Sequence, residues 1–126
     1  EYANHIRFPT ADEIIILDSF STAFEKITID RDSYIVIVTR GHLNDLDVLA
    51  QALRLGAGYI GMIGSRRKCG LIFEELRRRG FQEADLQRVH APIGLPIDAE
   101  TPEEIGISIT AEMIQARARL QKQPSW

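Results

Sequence analysis

Residues 34–68 read YIVIVTRGHLNDLDVLAQALRLGAGYIGMIGSRRK, and their order decides the fold. Tyr34–Thr39 is an unbroken β-branched run, the pattern of a buried strand. A helical pattern follows over Asn44–Leu55. Asn44 suits its N-cap, and Asp45 and Asp47 suit its positive first turn. Leu46, Leu49, Ala50 and Leu53 recur on one stripe, and Gly56 and Gly58 end the helix. Tyr59–Ile63 is a second short apolar run, stopped at Gly64.

Reading outward, Glu13–Asp18 (EIIILD) is another continuous apolar run and predicts a strand buried on both faces. Ser19–Ile27 predicts a short helix, with Ser19 or Ser21 as N-cap. Arg66–Arg79 predicts a helix with Cys69, Ile72, Phe73 and Leu76 on its stripe. Arg77–Arg79 suit its last turn, and Gly80 stops it. Glu83–Arg88 is a further short helix, and Val89–Ile93 a further strand. Thr101-Pro102-Glu103-Glu104 is a capping box with proline at the first helical position. It opens a helix to about Lys122, and Gln123–Trp126 is a frayed tail. Strands alternating with helices over short connections predict an α/β fold with a parallel sheet covered by helices.

The chain has 126 residues, 44% of them hydrophobic and 26% charged, which suits one domain with a real core. A net charge of −3 gives no reason to expect nucleic acid as a partner. Six of the fifteen basic residues nevertheless fall in Arg66–Lys68 and Arg77–Arg79. Cys69 is the sole cysteine, which excludes an internal disulfide and suits a reducing cytoplasm. It lies on an apolar stripe and reads as core rather than nucleophile. No apolar run approaches membrane-spanning length, and no signal peptide is expected. The opening EYANHIRFP, without an initiator Met, reads as sequence from within a domain.

Open parallel sheets bind ligands at the carboxyl ends of their strands. That rule singles out residues 39–44, 61–68 and 92–99. In the second loop, Gly61 and Gly64 permit sharp turns and close approach. Ser65 sits at the N-cap, and Arg66, Arg67 and Lys68 occupy the first helical turn. Cations are disfavoured there by the helix dipole. A bound phosphate, held by helix-end amides and these side chains, would offset them. The alternative is that the three cations fan into solvent. The pattern is neither G-x-G-x-x-G nor a Walker A loop.

In the first loop, Arg40 can pair with phosphate or carboxylate and His42 can donate, accept or titrate. Gly41 lies between them, and an ordinary polar loop is the plain alternative. The third loop, with Pro92, Gly94 and Pro96, is stiff enough for a pocket wall or simply connects to the capping box. Ser108 and Glu112 share the last helix's stripe with Ile105, Ile109 and Ala116. Glu112 therefore lies at the core rim or pairs, for example with an arginine of the glycine loop. The chain shows no Ser-His-Asp elbow, no metal-spaced His/Cys/Asp cluster and no general acid/base pair.

RFPTADEIIILD, YIVIVTRGHLNDLDVL, YIGMIGSRRK and APIGLPIDAETPEEIGISITAEMI together resemble the XdhC/CoxF family of maturation factors for xanthine dehydrogenase and related molybdenum hydroxylases. The resemblance covers nearly the whole chain. It implies a Rossmann-like three-layer sandwich over residues 1–122, with the first βαβ half of such a domain absent and 123–126 as a tail.

The resemblance also implies a cofactor-binding chaperone rather than a turnover enzyme. Its members bind the molybdenum cofactor, hold it for sulfuration by a cysteine desulfurase, and deliver it to the apo-hydroxylase. Gly64, Ser65, Arg66 and Arg67 would then hold the phosphate. Arg40 and His42 would contact the pterin or metal-oxo end, and Pro92–Gly94 would form the facing wall. An NAD(P)-binding oxidoreductase domain and a protein-interaction module are the alternatives. An unpaired sheet edge further predicts a homo-oligomer or pairing with another chain.

Overall fold

A three-stranded parallel sheet, in the order β1 (Tyr34–Ile37), β2 (Tyr59–Met62), β3 (Val89–His90), forms the centre of the computed structural model, which describes residues 3–122. Four helices follow the strands: α1 (His42–Ala52), α2 (Arg66–Arg78), α3 (Glu83–Leu86) and α4 (Pro102–Lys122). Tyr34 pairs with Tyr59 and Ile37 with Met62 across β1 and β2. Ile60 pairs with Val89 and Gly61 with His90 across β2 and β3.

Strand alternation sends the side chains to two different layers. Ile35, Ile37, Ile60 and Met62 join the buried cluster made with Leu46, Leu49, Leu53, Ile72 and Leu76 of the α1 and α2 segments. Leu49, Ile72 and Leu76 are completely buried, each contributing about 1.5–3 kcal/mol of transfer free energy. Tyr34, Tyr59 and His90 stack on the opposite side, with centroids 5.7 and 4.7 Å apart. There Tyr59 meets Glu112 of α4. The three layers are therefore α1 and α2, the sheet, and α4. α4 leaves the β1 end of its sheet face open, and Val36 and Val38 are exposed.

The stripes predicted for α1 and α2 are the buried faces, with Phe73 partly buried. The capping box stands as read: Thr101 Oγ1 accepts from Glu104 N at 3.1 Å, and Glu104 Oε1 accepts from Thr101 N at 3.0 Å.

Four local expectations are corrected. Glu13–Asp18 has no strand ladder, and Ile16 is exposed. An apolar run becomes a strand only beside a partner with free backbone groups, and none of the described segments pairs with it. Ser19 does cap the following segment, its Oγ accepting from Ser21 N at 3.1 Å, but the product is a 3-10 turn at Phe20–Thr22.

Gly41, at φ +111°, precedes α1 in place of Asn44. Asn44 lies one turn inside and donates from Nδ2 to Arg40 O at 3.2 Å. The strand predicted to reach Ile93 ends at His90, before the cis Ala91–Pro92 bond, because proline has no N–H for a ladder. Ile93 N still donates to Met62 O at 3.0 Å beyond it. The tail Gln123–Trp126 lies outside the described residues.

Candidate functional site

The carboxyl ends of the three strands open into Thr39–Gly41, Ile63–Ser65 and Ala91–Glu100, so the expected loops emerge at one end of the sheet. The structure brings them together through two contacts that local sequence patterns do not show.

The first contact centres on Asp45, which is completely buried. Its Oδ1 accepts from Thr39 N at 3.1 Å and from the Thr39 hydroxyl. Its Oδ2 accepts from the Lys68 ammonium. The end of β1, the first turn of α1 and the first turn of α2 thus meet on one carboxylate. Asp45 does more than complement a helix dipole. One signal of this is present in the sequence: Asp45 lies four residues before Leu49 and seven before Ala52, on the buried face.

The second contact joins β2 to the third loop. A methyl group at Gly61 would sit 2.5 Å from Ile93 Cδ1 and 2.7 Å from the Tyr59 hydroxyl oxygen. Gly61 therefore leaves room for Ile93 to lie over the strand. Gly94, at φ +101°, is locked from the other side. Its N–H donates to Glu112 Oε1 at 3.1 Å, and a methyl there would collide with Ser108 Oγ.

Glu112 pairs within this network and with no arginine of the glycine loop. It accepts from the Tyr59 hydroxyl at 2.7 Å, and His90 Nδ1 lies 3.5 Å away. Burial, and then the hydrogen bond and charge of Glu112, hold the Tyr59 phenol protonated well above its ordinary range.

These contacts define what the glycine loop can offer. Gly64 turns at φ +146°, and Ser65 caps α2, its Oγ accepting from Lys68 N at 3.1 Å. Ser65 O takes Cys69 N at 3.0 Å. The amides of Arg66 and Arg67 remain as helix-end donors, since no residue precedes them in the helix to accept. Of the three cations at this disfavoured end, Lys68 is answered by Asp45. Arg66 and Arg67 are exposed and have no ion-pair partner among the described residues.

Arg40 and Gly41 are exposed on the neighbouring loop, His42 is exposed at the start of α1, and Pro92 is exposed on the third loop. Cys69 is buried, and burial chiefly pushes its thiol up, away from a reactive thiolate. No group of three metal-ligating side chains occurs among the described residues. No helix among them is long and apolar enough to cross a membrane.

A parallel sheet whose loops gather glycines and helix starts at its carboxyl end defines a Rossmann-type class of domain. The chain belongs to the XdhC Rossmann domain family, whose pattern matches residues 1–113. It is 35% identical to YqeB of Escherichia coli (strain K12) over 117 residues, covering 93% of this chain and 21% of that protein.

It is 28% identical to a probable xanthine dehydrogenase subunit of Bacillus subtilis (strain 168), covering 94% of this chain and 34% of that one. It is 26% identical to the molybdenum cofactor insertion chaperone PaoD of Escherichia coli (strain K12), covering 71% of this chain and 28% of that protein. A crystal structure described as a xanthine dehydrogenase from Bacillus halodurans superposes with a TM-score of 0.77 at 35% identity, over 98% of this chain and 34% of its own. The chain thus spans a fifth to a third of the length of these relatives.

Proposed function

We propose that this chain is the cofactor-holding part of a maturation factor for molybdenum hydroxylases. The observation that carries this reading is the pair Arg66 and Arg67, exposed without ion-pair partners among the described residues, beside their own free amides at the strand ends. Backbone donors plus two guanidinium groups suit a phosphate, which accepts bidentate hydrogen bonds. The name of the related chaperone PaoD supports molybdenum cofactor as the phosphate's owner.

The residues present fit the phosphate end of that cofactor. Gly64 and Ser65 would admit it closely, and Arg66 and Arg67 would neutralise it. Arg40, on the adjoining loop, and His42, which opens α1, are assigned to the pterin or metal-oxo end, and Pro92–Gly94 to the facing wall. Once bound, the cofactor supplies the redox centre of the recipient hydroxylase, while these residues hold it, orient it and release it. The apo-hydroxylase is the partner this role requires, and a cysteine desulfurase would meet the same complex during sulfuration.

Anaerobic titration with molybdenum cofactor, using NAD and NADP as competitors, tests the reading. Arg66→Ala and Arg67→Ala should each weaken cofactor binding by roughly 1–3 kcal/mol, with an unchanged melting temperature. Unchanged affinity in both variants would remove the phosphate assignment. Displacement by NADP at lower concentration than cofactor would make this a dinucleotide domain. The same titration on the longer protein checks whether its other parts complete the site.

A further inference from the structure

At the opposite end of the sheet lies a second cationic site. A cavity of about 340 Å³ is lined by Arg31, Arg88, His90 and Arg119, with Tyr59 as part of its wall and no carboxylate residue among its lining. Arg31 precedes β1, Arg88 precedes β3, and Arg119 lies in the last turn of α4. The cavity therefore sits at the amino ends of the strands. Its β2 wall residues, Tyr59 and Ile60, lie at the start of that strand, whereas Ser65, Arg66 and Arg67 follow its end.

Two of the three guanidinium groups are fixed in place. Arg88 Nη2 donates to Leu53 O, at the end of α1, at 3.1 Å, and Arg31 Nη2 donates to Leu120 O of α4 at 3.3 Å. Each bond uses one of five guanidinium donors and leaves the others available. Arg88 also meets Asp85 at 3.6 Å, but both side chains are exposed there, and such a pair contributes little. His90 turns Nδ1 toward Glu112, which leaves its Nε2 for other partners. Three arginines lining one concave space, with no carboxylate residue among the lining, suit a phosphate.

We infer that this cavity binds a compact phosphate-bearing anion, at a site separate from the glycine loop. Its volume lies at the small end of ligand pockets and suits pyrophosphate or the phosphate end of a nucleotide. Arg31, Arg88 and Arg119 supply the charge, and His90 borders the cavity from the β3 side. The assignment stands or falls independently of the molybdenum cofactor reading, because it shares no residue with it.

The test is a titration of the purified protein followed by amide resonances in two dimensions, in an Arg66→Ala/Arg67→Ala background that weakens the loop. Pyrophosphate should shift the amides of Gly58 and Ala116, which border the cavity. Arg119→Gln, at an exposed position, should lower that affinity at least tenfold while leaving the remaining spectrum folded. Arg88→Gln should do the same if its helix-end bond is dispensable for folding, and Arg119→Gln decides if it is not. AMP binding more tightly than pyrophosphate assigns the site to nucleotides, and the reverse assigns it to the free anion. No shift at Gly58 and Ala116 at millimolar pyrophosphate, or equal affinity in Arg119→Gln, would overturn the inference.

Discussion

Asp45 and Lys68 show how unevenly one ion pair can respond to its two deletions. Asp45 has no exposed side-chain surface, whereas Lys68 keeps 25% of its own. Removing the lysine strands a buried carboxylate, which costs about 3 kcal/mol or more. Asp45→Asn keeps an acceptor for Thr39, and the ammonium of Lys68 can swing to water, so its cost is about 1–2 kcal/mol. Denaturant melts should therefore find Lys68→Met the more damaging variant, and equal losses would contradict this account.

The same pair marks a boundary of what is legible in the sequence. Ser65, Arg66 and Arg67 lie at a strand's carboxyl end, as their pattern predicts. Lys68 groups with them in the sequence because it belongs to the same basic run. Its partner comes from another helix twenty-three positions earlier, and local spacing does not report such a contact.

At the level of elements, Gly61 and Ile93 form the joint between β2 and the third loop. Gly61→Ala forces Ile93 and the Tyr59 hydroxyl to give way and should cost about 1–3 kcal/mol by overpacking. Combined with Ile93→Ala, it should cost less than the sum of the two changes, since the pair are in contact. Additive losses in thermal melts would show that the joint is looser than its 2.5 Å approach implies.

The start of α4 carries a pH dependence of stated sign. Hydrogen bonds from the Glu100 amide first, and the Thr101 amide next, hold the Glu104 carboxyl below its ordinary value of 4.5. A lowered folded-state pKa gives stability that is present above about pH 4.5 and lost as pH falls below it. The α4 amino end should fray over that acid window, and Glu104→Gln should flatten the response in amide exchange of the first turn.

This capping box is fully readable, because its whole mechanism lies within four residues. EIIILD is not, because a strand depends on a neighbour and an apolar run carries no record of one. Glu112 lies between: its position on the buried stripe is readable, but its partners Tyr59, Gly94 and His90 come from other parts of the chain.

Across the whole molecule, the α/β order and the parallel sheet follow from the alternation of strand and helix patterns, and the family assignment agrees with them. Among the described residues the sheet is finished on neither side. β1 pairs only with β2 among the described residues, and Val36 and Val38 lie open beside the free edge. Exposed edges with apolar faces recruit other strands. Light scattering of the isolated chain should find dimers or larger species, and a well-folded monomer throughout the micromolar range would refute this.

The aromatic stack offers a different consequence. Tyr34, Tyr59 and His90 come one from each strand, and successive rings are held within 6 Å of one another at nearly parallel planes. Such fixed neighbours lend the tyrosines a strong near-ultraviolet circular dichroism signal that fluctuating side chains lose. The intact sheet thus carries its own optical gauge, sensitive to the register of all three strands at once.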